Sequence, residues 1–182
     1  MTRTALSPEP YVRALQFAAS AHGGQTVPGT DHPYLVHVCS VAAEVIAALE
    51  IEPHADPDLA IACALLHDVV EDTGVTVAAV ERTFGARVAA GVSALTKDKK
   101  GAKDARMRSS LDRIRLQPRE VWMVKLADRI TNLQPPPKNW NREKCRMYRV
   151  EAETIADELG DASAVLVARL RARIDGYRRY GA

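Results

Sequence analysis

The chain has 182 residues, with 25 Lys and Arg against 23 Asp and Glu and a formal net charge of +2. That length suits one domain able to bury a substantial core, and the near-neutral balance supplies no field for a nucleic-acid polymer. No apolar run approaches a membrane span, the first residues carry no signal segment, and Cys39, Cys63 and Cys145 form no CxxC pair. These features are expected of a reduced, cytoplasmic protein. Cys39 and Cys63, set in apolar helical patterns, read as small core residues.

In chain order, Ser7-Pro8-Glu9-Pro10 opens a first helix whose apolar positions run from Tyr11 to Ala21. His22-Gly23-Gly24 stops it, and the Gly- and Pro-containing segment from Gln25 to Asp31 reads as a loop. A second helix starts near His32-Pro33-Tyr34 and carries the stripe Leu35, Val38, Val41, Ala42, Val45, Ile46 and Leu49. His54 falls in an exposed loop, after which Asp56 caps a third helix with Pro57 at its first position. That helix is apolar from Leu59 to Leu66 and is expected to continue to Gly74.

A short helix follows between Thr76 and Gly85, then one from Arg87 to Leu95. The basic stretch from Lys97 to Lys103 is either a solvated loop or a mobile phosphate-contacting one. A polar helix spans Ala102 to Leu116. Pro118 then opens a helix apolar on most of its surface, which Gln134-Pro135-Pro136-Pro137 ends. Two amphipathic helices, Trp140 to Leu159 and Ala162 to Tyr180, complete the chain. No alternating strand pattern occurs, so the expected fold is all-α, with about eight to ten helices.

The stretch His67-Asp68-Val69-Val70-Glu71-Asp72 holds the densest chemistry. On one continuous helix, His67 shares a face with Glu71 and Asp68 with Asp72. Three carboxylates in the last turns, where the helix dipole is already negative and no Lys or Arg is near, cost stability unless a cation sits among them. A divalent metal held by His67 and Asp68 offsets that cost. His37, between apolar neighbours, is open to two readings, a hydrogen-bonded core histidine or a ligand. Asp128, on the most apolar helix, needs a cation, a set of hydrogen bonds, or Arg129 as neighbour.

His37, His67-Asp68 and Asp128, in that order, resemble the HD phosphohydrolase superfamily. The match extends to Pro33-Tyr34-Leu35-Val36-His37, Phe84-Gly85, Leu95-Thr96-Lys97 and Val124-Lys125-Leu126-Ala127-Asp128-Arg129-Ile130-Thr131-Asn132-Leu133, which resemble the hydrolase domain of RelA/SpoT-type alarmone enzymes. The resemblance covers about 11–159 of a single domain spanning 1–182, with the segment 161–180 packing on it as a C-terminal helix. It implies a compact HD helical bundle in which His37, His67, Asp68 and Asp128 bind one divalent metal, Mn²⁺ by family, although two imidazoles and two carboxylates also admit Zn²⁺, Fe²⁺ or Co²⁺. It further implies that Glu71 and Asp72 position and deprotonate the attacking water, that Asn132 contacts the substrate ribose, and that Lys97 and Arg146 hold phosphates. The implied reaction removes pyrophosphate from the ribose 3′ position of a guanosine tetra- or pentaphosphate.

Four departures from the family pattern bear on the base. Gln25 is followed by Thr26-Val27-Pro28-Gly29-Thr30 with no basic residue, Val38 follows the first His where Pro is usual, and Thr131 replaces a usual His. The segment Gln134 to Trp140 is unusual and offers Trp140 as a stacking partner or as a core anchor. An adenosine alarmone therefore stands beside the guanosine one. Two further functions stay open: another HD nucleotide phosphohydrolase, acting on a nucleotide monophosphate or on the NADPH 2′-phosphate, and a non-catalytic nucleotide sensor. Oligomeric state is left open by the sequence.

Overall fold

A computed structural model describes residues 8–52, 56–97 and 103–181, with backbone only at 103–105. His54, the residues before Pro8, and positions 98–102 of the basic stretch lie outside the described residues. Among the described residues ten α-helices follow one another: α1 (Pro8–Ala21), α2 (Leu35–Ile51), α3 (Pro57–Leu66), α4 (Val69–Asp72), α5 (Val77–Phe84), α6 (Ala86–Leu95), α7 (Lys103–Arg115), α8 (Arg119–Asn132), α9 (Arg142–Leu159) and α10 (Ala164–Tyr177). Single 3₁₀ turns follow α9 and α10. Among the described residues the only β-pairing is an isolated bridge between Thr26 and Pro33, which closes the loop before α2. The all-α expectation holds.

The helix starts follow local chemistry. Asp56 Oδ1 accepts from Leu59 N at 3.2 Å with Pro57 in the first turn, and Thr76 Oγ1 accepts from Ala79 N at 3.2 Å. Asn141 caps α9 at Lys144 N, so that helix starts two residues after Trp140 rather than at it. Gly85, at φ +87°, makes the sharp turn between α5 and α6 that a side chain would strain.

Helix α3 is the hub. Nine of its ten residues are buried, and α1, α2, α6 and α8 all pack on it. Small residues at 60, 62, 63 and 64 let four neighbours approach, while Leu65 and Leu66, fully buried, contribute about 1.5–3 kcal/mol each. Gly91 of α6 shows how close the approach is: a Cβ there would lie 2.7 Å from Cys63 Sγ and 2.9 Å from Val121 Cγ2. Cys63 is thus core as expected, whereas Cys39 is only half-buried. Helix α10 packs along α2, α8 and α9. No helix among the described residues is long and apolar enough to cross a membrane.

One helix expectation is corrected. The third helix does not run on to Gly74; it stops at Leu66, and a separate turn of helix begins at Val69. Asp68 sits at φ −102°, ψ −5°, outside regular helical geometry. His67 supports the stop, because its Nδ1 lies 2.8 Å from the Ala64 carbonyl oxygen, one of the helix's terminal acceptors.

Candidate metal and active centre

The break after Leu66 gathers the polar side chains that a straight helix would spread along its face. His67 Nε2 and His37 Nε2 stand 3.3 Å apart, one from the end of α3 and one from the first turn of α2. Asp128 Oδ1, from the buried middle of α8, lies 3.6 Å from His37 Nε2 and 3.8 Å from His67 Nε2. One ligating atom from each of His37, His67 and Asp128 falls within 4.8 Å of the others. Asp68 joins from the histidine side, its Oδ2 2.9 Å from His67 Nε2 and 3.6 Å from His37 Nε2.

The donor set fits a divalent cation. With the Nδ1–H of His67 donating to the Ala64 carbonyl, the Nε2 lone pair is left facing the cluster, the tautomer a metal ligand requires. The carboxylates call for positive charge. Burial alone lowers the basicity of His67, yet the charge and hydrogen bond of Asp68, helped by Asp128, lift its imidazole to about 9. Burial alone would likewise raise Asp68 and Asp128, but the facing imidazoles, and for Asp128 also Lys125, hold both well below the usual carboxylate range. A metal ion held here would displace that proton, because a ligating imidazole must be neutral.

A ring of hydrogen bonds orients the cluster. Tyr34, the buried residue just before α2, donates its hydroxyl to Asp68 Oδ2 at 2.5 Å and lies 3.4 Å from Asp72 Oδ2. Lys125 Nζ donates to Asp128 Oδ2 at 3.0 Å, and Asn132 Nδ2 to Asp128 Oδ1 at 2.5 Å. Burial lowers the Lys125 ammonium, against the pull of Asp128. The cation that Asp128 needs is therefore Lys125, one turn earlier on α8, and not Arg129. Arg129 turns away, its guanidinium 4.2 Å over the Tyr148 ring and 3.5 Å from Glu151. The roles of Tyr34 and Lys125 went unread in the sequence. For Lys125 the signal was there, a cation at i−3 from an acid on a buried helix.

Glu71 and Asp72 sit on α4, beside the cluster. Glu71 Oε2 accepts from the backbone N–H of Lys97 at 2.8 Å, and Lys97 Nζ lies 3.8 Å from Glu71 Oε1. Burial opposes the charge on Lys97, but Asp128, Glu71 and Asp68 together raise its pKa.

Asp128 and Asn132 form one end of a cavity of about 300 Å³. Lys97, Arg106, Arg129 and Lys144 bring positive charge to it, and Trp140 and Tyr148 form an aromatic wall. The Ser110 hydroxyl and the Nε atoms of Arg106 and Arg129 are buried there with no hydrogen-bond partner among the described residues. Trp140 meets Tyr148 edge-on at 5.1 Å, and Lys144 Nζ lies 4.3 Å over the indole. The residue is thus both a packed anchor and part of the cavity surface. Arg146 is not brought in: it is exposed and paired with Glu143 at 2.8 Å, and Lys144 is the α9 cation that reaches the cavity.

The chain is similar in sequence and fold to known proteins. The profile of a family described as HD domain matches residues 14–155. The guanosine-3′,5′-bis(diphosphate) 3′-pyrophosphohydrolase MESH1 of Drosophila melanogaster is 32% identical over 165 residues, covering 88% of this chain and 90% of that protein. The bifunctional (p)ppGpp synthase/hydrolase SpoT of Escherichia coli K12 is 35% identical over 138 residues, 70% of this chain but 18% of SpoT. A solved structure of a metazoan ortholog of SpoT, described as hydrolyzing ppGpp, superposes with a TM-score of 0.80 at 29% identity, covering 95% of this chain and 98% of that one. The chain belongs to the HD domain family and, within it, is similar to the MESH1 hydrolases, matching the Drosophila melanogaster protein over 90% of its length.

Proposed function

We propose that the protein is a metal-dependent alarmone 3′-pyrophosphohydrolase acting on guanosine or adenosine tetra- and pentaphosphates. The observation that carries this reading is the convergence of His37, His67, Asp68 and Asp128, with Asp128 also lining a cavity that cations and aromatic rings surround. His37, His67, Asp68 and Asp128 would hold one divalent ion, Mn²⁺ by family resemblance. Such an ion lowers the pKa of water and neutralises charge on a phosphoryl oxygen.

The chain's own residues supply the rest. Glu71 and Asp72 position the attacking water and one of the two carboxylates takes its proton, as the water oxygen forms a bond to the inner phosphorus of the 3′-diphosphate. The bond from that phosphorus to the ribose 3′ oxygen breaks, pyrophosphate leaves, and the 3′ oxygen gains a proton, giving the nucleoside 5′-di- or triphosphate. Asn132, held on Asp128 by its Nδ2, keeps its carbonyl oxygen available to accept from a ribose hydroxyl. Lys97, Arg106 and Lys144 offset the charge of the phosphates. Arg146 joins them as a phosphate ligand only by leaving Glu143. Tyr34 donates its one hydroxyl proton to Asp68 and so orients that carboxylate, with Asp72 beside it. The three free cysteines accord with a cytoplasmic setting.

Incubation with Mn²⁺ and ppGpp or ppApp should release pyrophosphate; release of orthophosphate alone would reject the assignment. A second reading, another HD nucleotide phosphohydrolase, is favoured by one observation. The loop closed by the Thr26–Pro33 bridge carries no Lys or Arg to pack on a purine. A panel with nucleotide monophosphates and NADPH decides between the two, and faster turnover of alarmones than of all others dismisses the second. Loss of turnover in Asp68→Ala excludes a sensor without catalysis.

A further inference from the structure

The aromatic wall of the cavity does not stand alone. Behind Tyr148 lies Tyr177, the last residue of α10, with ring centroids 6.2 Å apart. Behind Tyr177 lies Tyr180, at 5.1 Å and inclined by 63°, with the Arg179 guanidinium 4.9 Å over its ring. Trp140, Tyr148, Tyr177 and Tyr180 thus form one continuous stack from the cavity surface to the C-terminal turn. Tyr177 is 2% exposed and lines no part of the cavity. The chain then folds back on α9: a Cβ on Gly181 would lie 3.3 Å from the backbone N and Cα of Arg146, between Lys144 and Tyr148 in sequence. The family match ends at residue 155, before this segment begins.

We infer that Tyr177, with Tyr180 behind it, is a positioning residue for the substrate cavity, setting the placement of Tyr148 and Trp140 without touching substrate. The physical basis is the directional packing of aromatic rings, edge-on for Trp140–Tyr148 and Tyr177–Tyr180 and tilted by 52° for Tyr148–Tyr177. A ring has few rotamers, and removing the one behind it opens a void into which Tyr148 relaxes. The metal cluster, built on α2, α3 and α8, shares no side chain with this stack. The expected signature is therefore weaker substrate binding with the chemistry intact. Its kinetic form rests on the alarmone-hydrolase reading; its structural form does not.

The test uses Tyr177→Ala and Tyr177→Phe in the full chain, with Trp122→Phe as background so that emission reports Trp140 alone. In Tyr177→Ala, acrylamide quenching of Trp140 should rise about twofold. The KM for ppGpp should rise about tenfold, with kcat and bound Mn²⁺ within about twofold of the parent, the pattern of a displaced binding wall. Tyr177→Phe, which keeps the ring, should restore quenching and KM. Unchanged quenching and KM in Tyr177→Ala would overturn the inference, as would a fall in kcat and metal content in step with the rise in KM. If Tyr177→Ala does not fold, Tyr180→Ala should show smaller shifts in the same direction, and no shift there would also overturn it. A parent protein that hydrolyses no alarmone refutes the proposed function but leaves the quenching experiment to decide the positioning role.

Discussion

The two ends of the cavity are built on different principles. At the metal end, side chains from α2, the α3–α4 junction and α8 are tied to one another: both oxygens of Asp128 accept hydrogen bonds, and Tyr34 holds Asp68. At the far end, on α7 and α9, Lys144 rests on an indole, and Arg106 and Ser110 bury polar atoms that have no partner among the described residues. A pre-paired cluster resists rearrangement, while donors without a partner can still accept one. On the proposed function, this difference would place the chemistry on α2, α4, α8 and the α3–α4 junction, and much of the phosphate recognition on α7 and α9.

If that division is right, mutations at the metal end should act on turnover and those at the far end on KM. Asp68→Ala should have the largest effect, abolishing turnover and lowering bound metal, read by kinetics and metal analysis. Glu71→Gln or Asp72→Asn should keep the metal and lower kcat by about 10²-fold or more, the scale of a lost general base. Near-normal rates would show that the water loses its proton elsewhere. Tyr34→Phe removes the hydrogen bond to Asp68 and should weaken metal affinity by about 10- to 100-fold, measured by competition with a chelator.

Smaller effects belong to the other end and to the core. Trp140→Ala should raise KM about tenfold while kcat stays near the parent value, because it removes cavity surface and not chemistry. An equal fall in kcat would erase the proposed division. Gly91→Ala touches neither end, yet it forces a methyl group against Cys63 and Val121. It should cost about 1–3 kcal/mol of stability, measured by chemical denaturation, with KM unchanged.

Several of these residues were legible before any coordinates. His67-Asp68 and Glu71-Asp72 stood out as charge at the end of an apolar run, and Asp128 as an acid on a buried helix. Their surroundings were less legible. Periodicity carried the third helix through to Gly74, because nothing in a 3.6-residue pattern marks a break held by a His67 bond to its own helix end. Arg129 stood next to Asp128 in sequence, but adjacent residues on a helix point in different directions, and Lys125 one turn back became the partner. Arg146 and Lys144 are two positions apart on α9, about half a turn, so only one of them faces the cavity.

The amino-acid order alone determined the helical class, the helix caps at Asp56 and Thr76, and the identity of the groups able to ligate a metal. Those follow from periodicity, turn chemistry and donor type, which are local. Tertiary packing decided that His37, His67, Asp68 and Asp128 meet, that Lys125 compensates Asp128, and that Tyr177 backs the cavity wall. These depend on which faces of distant helices come together, and small residues such as Gly91 and Ala64 admit that contact without encoding its direction.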